Sequence, residues 1–354
     1  MNLKNSFKIK ILLVIIILFI VKSPVIIQAM TEGIKLCISI IIPSLFPFMV
    51  ISSAFVGNLD GSSLKTIFKI TNKLFGISIY GAGAFICGIL CGYPIGAKCA
   101  AELYAEGRIS KSEAQSLMAY CNNSGPLFII GAIGLGMLHS FKCGVFLYIV
   151  HIFSAIVAAL ILKPYTYIRQ ISSVNLPKSK PLTQCICESV TNVLNVCGFI
   201  LMFSVVNKIT QPFFALAPHK IRLVLPGIVE ISNGIKTVCT NATGFCEKMT
   251  IISFVLGWSG ISVHMQVSNI AKPHGICLKK YYITRLFTAI LSAIITWLFT
   301  GGLDELVLNI RLIVLLMAAT SILCSLLFTI KSRKHKSKPK IRANLQTTKR
   351  CKSS

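Results

Sequence analysis

Long runs of apolar residues follow one another along the chain, separated by short polar or glycine- and proline-bearing gaps. They fall at 9–27, 36–56, 79–97, 127–138, 144–162, 186–209, 249–267, 281–300 and 310–330. A helix needs about 20 such residues to cross a hydrocarbon core of about 30 Å. The pattern predicts an all-α polytopic membrane protein of about eight spans. Residues 223–235 are also apolar, but they are few and interrupted by Pro226, Gly227 and Gly234, which predicts a re-entrant segment.

Charge placement orients the runs. Lys4, Lys8 and Lys10 precede the first run, and the 163–184 loop carries Lys163, Arg169, Lys178 and Lys180 without an acid, so both read as cytoplasmic. Asp304 and Glu305 lie in a loop without a base and read as external. Three apolar runs separate the cytoplasmic lysines Lys65, Lys69 and Lys73 from the 163–184 loop. Because that number is odd, one of the runs 79–97 and 127–138 should enter and return without crossing. The organisation expected is an N-terminal anchor over 1–30, a first repeat over 31–162, a cytoplasmic linker over 163–185, a second repeat with the final spans over 186–330, and a basic cytoplasmic tail over 331–354.

The two halves echo each other. FICGILCGYPIGAK (85–98) resembles FVLGWSGISVHMQ (254–266), LFGISIYG (74–81) resembles IVEISNG (228–234), and LFPFMVIS (45–52) loosely resembles LMFSVVNK (201–208), all in the same order. On the charge reading the matched spans run in opposite directions, so the expected fold holds an inverted structural repeat with re-entrant helical hairpins. Broken helices at matching positions of such repeats point to a transporter site near the midplane.

Composition sharpens this picture. Hydrophobic residues make up 54% of the 354, charged residues 13%, and the mean hydropathy is +0.77, more apolar surface than a soluble core can bury. The net charge of +26 suggests nucleic acid, yet ten Lys/Arg lie in the last stretch, Lys331 to Ser354, with no acid among them. A disordered tail attracted to anionic lipids is the expected reading, and nucleic acid is not an expected partner. Most of the cysteines sit inside apolar runs as small hydrophobes, and no set has zinc-site spacing. There is no HExxH, GxSxG or P-loop, and ten acidic residues leave little for acid–base chemistry, so no enzyme is expected. No cofactor or metal is expected either, with a coupling proton or sodium ion left open.

The polar residues gather at the interruptions. Gly92 and Pro94 break one run, and Asn122, Asn123 and Ser124 precede Pro126; these either cap an ordinary helix or present donors to an anion. Glu230 and Ser232 lie in the re-entrant segment, where an acid is costly unless paired or wet. Glu230 is read as binding a coupling ion, pairing with Lys98, or sitting exposed on a shallow loop. Lys98 either faces an anionic substrate or snorkels to the interface. Ser259, Ser262 and Gln266 complete the candidate substrate-binding set from the second copy, and His264 is read as a packing residue.

IIPSLFPF (41–48), CGYPIGAK (91–98), CNNSGPLFIIGAIG (121–134), LPGIVEISNGI (225–235) and GWSGISVHMQV (257–267) together resemble the YlbJ-type (SpoVV) sporulation integral membrane proteins, which carry a nucleoside-recognition or Gate domain. The resemblance spans roughly 23–330. It implies inverted repeats with re-entrant hairpins, as in parts of concentrative nucleoside transporters. It also implies residence in the outer, mother-cell-derived forespore membrane and delivery of dipicolinate, an aromatic dicarboxylate, for storage in the spore. A nucleoside-type permease and a non-transporting gate or scaffold subunit are the alternatives, with homo-oligomers or other sporulation membrane proteins as expected partners.

Overall fold

The computed structural model describes residues 3–57, 65–162, 181–242 and 244–301. The chain divides into two units, Met1–Leu298 and Phe299–Ser354, the second lying almost wholly outside the described residues. The Asp304–Glu305 loop, the run at 310–330, the basic tail and most of the 163–185 linker also lie outside them. Every regular element among the described residues is helical. With its long apolar helices, this makes the protein an all-α polytopic membrane protein.

The first half comprises α1 (Leu3–Val21), α2 (Ser23–Leu36), α3 (Ile42–Gly57), α4 (Lys65–Phe75), α5 (Ile79–Cys91), α6 (Ile95–Ala105), α7 (Lys111–Tyr120) and α8 (Phe141–Ile161). A wide helix with i→i+5 bonding, Leu127–Met137, stands between α7 and α8. The second half comprises α9 (Leu182–Ala215), α10 (His219–Val229), α11 (Ile231–Asn241), α12 (Phe245–Trp258), α13 (Gly260–Ala271) and α14 (Lys279–Thr300).

Five helical stretches are long and apolar enough to cross a membrane: Ser23–Phe55, Phe141–Ile161, Leu182–Ala215, Phe245–His274 and Lys279–Thr300. The pair Phe68–Phe75 and Ile79–Cys91, bent by 92°, would be a sixth. Five or six of the roughly eight expected spans are thus found among the described residues, and the expected run at 310–330 lies outside them. Apolar content alone does not distinguish a crossing helix from half of a broken one. The expectation that one of two runs turns back is also incomplete, because both are interrupted: 79–97 is cut at Gly92–Pro94, and Leu127–Met137 is too short to cross.

The boundary expected at residue 30 lies inside a continuous helical stretch. Lys22 follows the end of α1, Pro24 stands in the first turn of α2, where a missing N–H costs nothing, and helix continues to Gly57. Between α2 and α3, Cys37–Ile41 widens to i→i+5 bonding immediately before Pro43. The proline ring would clash with the carbonyl four residues back, and the wider turn makes room for it.

Two hairpins define the interior. In α5–α6 the chain reverses at Gly92–Pro94 and Gly96 comes against Gly88; in α10–α11 it reverses at Glu230 and Gly234 comes against Gly227. Both hairpins thus close on a glycine pair straddling the turn, with one fewer residue between the glycines in the second. By order of elements each half runs as a long helix, such a hairpin, a broken helix and a long helix. This pairs Gly92–Pro94 with Glu230, and Cys121–Pro126 with Ser259. Residue self-comparison pairs Gly92–Pro94 with Ser259 instead, because repeated Gly and Ile letters match more readily than the glycine spacing does.

Along α14, Tyr281, Arg285, Thr288, Ser292 and Thr296 recur at helical spacing on a buried face, while Ile283, Leu286, Ile290, Ile294 and Trp297 are exposed on the apolar side. The buried hydroxyls fasten α14 to α12. Ser253 Oγ donates to the Ser292 carbonyl (3.1 Å), Ser292 Oγ to the Ser253 carbonyl (2.9 Å), and Thr296 Oγ1 to Ser253 Oγ (2.8 Å). Lipid supplies no hydrophobic drive between helices, so small residues and such hydroxyl bonds hold them together.

At Gly88 and Gly96 an added Cβ would collide with the Cys121 carbonyl, which lies between the hairpin arms. Gly88→Val should lower stability by at least the ~1–3 kcal/mol typical of overpacking, since backbone and not a side chain must move. Thermal unfolding of the detergent-purified protein reads this. An unchanged midpoint would refute the hairpin packing.

Candidate functional site

The four interruptions meet in the interior. Within the first half, the Tyr93 N–H donates to the Asn123 carbonyl at 2.7 Å, and Gly92, at φ 77°, lies against Gly125. A Cβ at Gly92 would be strained by that dihedral and would approach the Gly125 backbone nitrogen at 2.5 Å, so only glycine fits. The second half repeats the arrangement. Gly260, at φ 80°, lies against the backbone of Ile231, Glu230 and Gly227, and the Trp258 indole donates to the Ile228 carbonyl at 3.2 Å. Ser259, also left-handed at φ 75°, holds the break between α12 and α13.

A small cavity of about 20 Å³ lies where the two halves come together, with Tyr93, Gly125, Glu230, Ser232, Ser262 and Gln266 in its walls. It has room for about one water-sized species. Of the eleven residues proposed from sequence, Asn122, Asn123, Ser124, Glu230, Ser232, Ser259, Ser262 and Gln266 are all buried. Gly92 and Pro94 form the neighbouring hairpin turn.

Lys98 does not belong with them. It stands one turn into α6 and partly exposed, with Nζ 3.7 Å from Glu102 and 3.6 Å from Glu188. Its pairing with Glu230 is therefore corrected: Glu230 lies in the interior, while Lys98 is satisfied at the protein's edge.

Glu230 has a different task. It is the N-cap of α11, its Oε1 accepting from the Ser232 N–H (2.9 Å) and its Oε2 from the Asn233 N–H (2.8 Å) and from Asn233 Nδ2 (2.9 Å). The helix end and the carboxylate neutralise one another, which is how a fully buried acid is tolerated here.

The residue that sequence reading missed is Arg285. It is 0% exposed, and its Nη2 donates to Asn123 Oδ1 at 3.0 Å. Nε and Nη1 have no partner, and no carboxylate among the described residues comes within ion-pair distance. Beside it, Tyr281 accepts from Asn122 Nδ2 (3.2 Å) and meets His264 Nδ1 (2.9 Å), while the His264 ring packs edge-on to Trp258. On α8, His151 Nε2 accepts from the Ser124 N–H at 3.0 Å. The signal for Arg285 was present in the sequence. A charge within a spanning apolar run is a site hypothesis by default, but Lys279, Lys280 and Arg285 read together as the basic end of a helix.

The centre therefore combines a fixed positive charge with orphaned buried polar atoms, among them Asn122 Oδ1, Ser262 Oγ, Gln266 Oε1 and His264 Nε2. The N-termini of α6, α13 and the Leu127–Met137 helix also begin at the interruptions and add positive potential. No group of three or more potential metal-ligating side chains gathers among the described residues.

Comparison with known proteins agrees with the motifs. The chain is similar to the Sporulation integral membrane protein YlbJ of Bacillus subtilis (strain 168), 28% identical over 321 residues, covering 77% of this chain and 76% of that protein. The YlbJ-type resemblance is borne out. No family model matches the chain, so the Gate-domain part of the resemblance has no counterpart among the comparisons, and no solved structure matches it. The YlbJ-type alignment and the long apolar helices agree on a multi-pass membrane protein.

Glu230→Ala should cost about 0.5–2 kcal/mol for the lost cap, with a further ~1–3 kcal/mol for each buried N–H left unpaired. Lys98→Ala, which breaks only partly exposed pairs, should cost no more than about 1 kcal/mol. Thermal midpoints of the two purified variants should differ in that order, and equal losses would contradict the placement of these two residues.

Proposed function

We propose that the chain is a transporter of a small anionic solute, dipicolinate being the best candidate, across the outer forespore membrane of an endospore-forming bacterium. The observation that carries this reading is Arg285, a buried permanent cation with two unpartnered donor nitrogens, Nε and Nη1, and no carboxylate partner among the described residues. Enclosing an unpaired charge costs several kcal/mol, and an incoming carboxylate removes that cost. A forked guanidinium also suits a carboxylate better than an ammonium does.

Two features favour transport over a static binding role. The interruptions of both halves meet at the small central cavity, lined by Tyr93 and Gly125 from one half and Glu230 and Ser232 from the other, and a site between two packed hairpins can open to either side by displacement of one hairpin. The similarity to a sporulation integral membrane protein makes a solute accumulated by spores the natural candidate. An aromatic ring bearing two carboxylates complements the arginine and the Tyr281 ring.

The purified protein alone, reconstituted in liposomes, should move dipicolinate. Arg285→Gln should cut the flux on the order of 100-fold while the protein still accumulates in the membrane, and Arg285→Lys should restore it in part. Equal flux through wild type and Arg285→Gln would remove the site, and no flux through wild type would favour a non-transporting gate subunit. In the native organism, spores of a deletion strain should lack dipicolinate although its synthesis continues. Normal spore content would remove dipicolinate as the substrate.

A further inference from the structure

A second cavity, of about 510 Å³, opens on the far side of the α10–α11 hairpin, between α2, α9, α10 and α11. Its walls carry Lys208, Arg222 and Lys236, with His219 nearby, against a single acid, Glu32. Glu32 occupies Lys208 at 3.8 Å, while Arg222 and Lys236 make no ion pair among the described residues. The volume is that of a small-molecule pocket, and Arg222 and Lys236, both exposed to solvent, present their charges toward it from two neighbouring helices.

The floor of this cavity includes Ser204 and Asn233. Asn233 Nδ2 donates both to Ser204 Oγ at 2.7 Å and to Glu230 Oε2 at 2.9 Å, and Glu230 in turn walls the small cavity at the centre. One hairpin tip, Glu230 to Asn233, thus stands between the basic cavity and the small cavity at the centre.

We propose that the basic cavity is a loading station for a small soluble dianion, held by Arg222 and Lys236 before the hairpin tip admits it to the centre. This rests on the anionic-solute reading above and adds to it a second site with its own residues. Arg222 and Lys236 come from the two arms of one hairpin, so a bridging dianion would draw the arms together. Glu32 competes for Lys208 and weakens the field. A phosphate headgroup of an anionic lipid has the same chemistry as a free dianion. The polar side chains of Asn207 and Thr237 among its walls favour the soluble solute.

The test is equilibrium binding of dipicolinate, and separately of inorganic phosphate, to the full-length protein in phosphatidylcholine nanodiscs. Arg285→Gln removes the central site, and saturable binding should persist in it. Adding Arg222→Gln and Lys236→Gln should weaken that remaining binding about 10- to 100-fold, whereas adding Arg222→Lys and Lys236→Arg should keep it within about threefold and show that the fold survives. Glu32→Gln should tighten it. Binding unchanged by the paired glutamine substitutions, absence of saturable binding of either probe, or loss of binding when phosphatidylglycerol is included would each overturn the proposal, the last by assigning the cavity to a lipid headgroup. Flux measured on the same preparations separates the two readings. Binding without flux leaves the loading station and removes transport; flux with binding insensitive to Arg222 and Lys236 does the reverse.

Discussion

A peptide group that leaves a helix at membrane depth has no water to turn to, and the interior of this protein is organised around that constraint. The interruptions gathered in the interior among the described residues free backbone donors and acceptors, and several of these are met by another interruption or by a side chain aimed at them. Tyr93 bonds the Asn123 backbone, the Glu230 carboxylate caps α11, His151 receives the Ser124 N–H, and Trp258 reaches the Ile228 carbonyl. The breaks therefore have to sit together, and the polar residues that make a site are concentrated where the backbone already requires polar partners.

Arg285 is the exception that gives the arrangement direction. Asn122 Oδ1, Ser262 Oγ, Gln266 Oε1 and His264 Nε2 are unanswered too, but the guanidinium, with Nε and Nη1 unpartnered, adds a full charge that an anion would relieve. Glu230, the obvious charged candidate from sequence, is the reverse case: its carboxylate is consumed by its own helix. The two residues show why a charge in an apolar context is informative only with its partners known.

Much of this was legible in the sequence. The apolar runs gave the helices, and the interruptions at Gly92–Pro94, Asn122–Ser124, Glu230–Ser232 and Ser259–Ser262 marked the residues that the fold gathers. What periodicity could not supply was which runs fold back on themselves. That depends on Gly88 meeting Gly96 and Gly227 meeting Gly234, contacts set by spacing across a turn and not by hydropathy. The same blindness misaligned the two halves by one element. Lys98 was misplaced because a lysine just beyond a break looks the same in sequence whether it faces inward or, as here, reaches Glu102 and Glu188 at the edge. The basic cavity was invisible for another reason: Lys208, Arg222 and Lys236 come from three helices that only tertiary packing brings together.

The glycine seams have a mechanical consequence. Where Gly227 meets Gly234 the arms touch backbone to backbone, with no side chain of either glycine to rearrange, whereas the Cys121 carbonyl is seated between Gly88 and Gly96. While the α5–α6 hairpin is keyed to the Cys121 turn, the α10–α11 hairpin is then a thin blade able to slide as one piece. The resistance to its motion comes from its outer faces, such as the amide of Asn233 gripping Ser204 on α9. Adding bulk at the seam would convert a blade into a hinge, and fine control of the motion belongs to the few polar contacts along its rim.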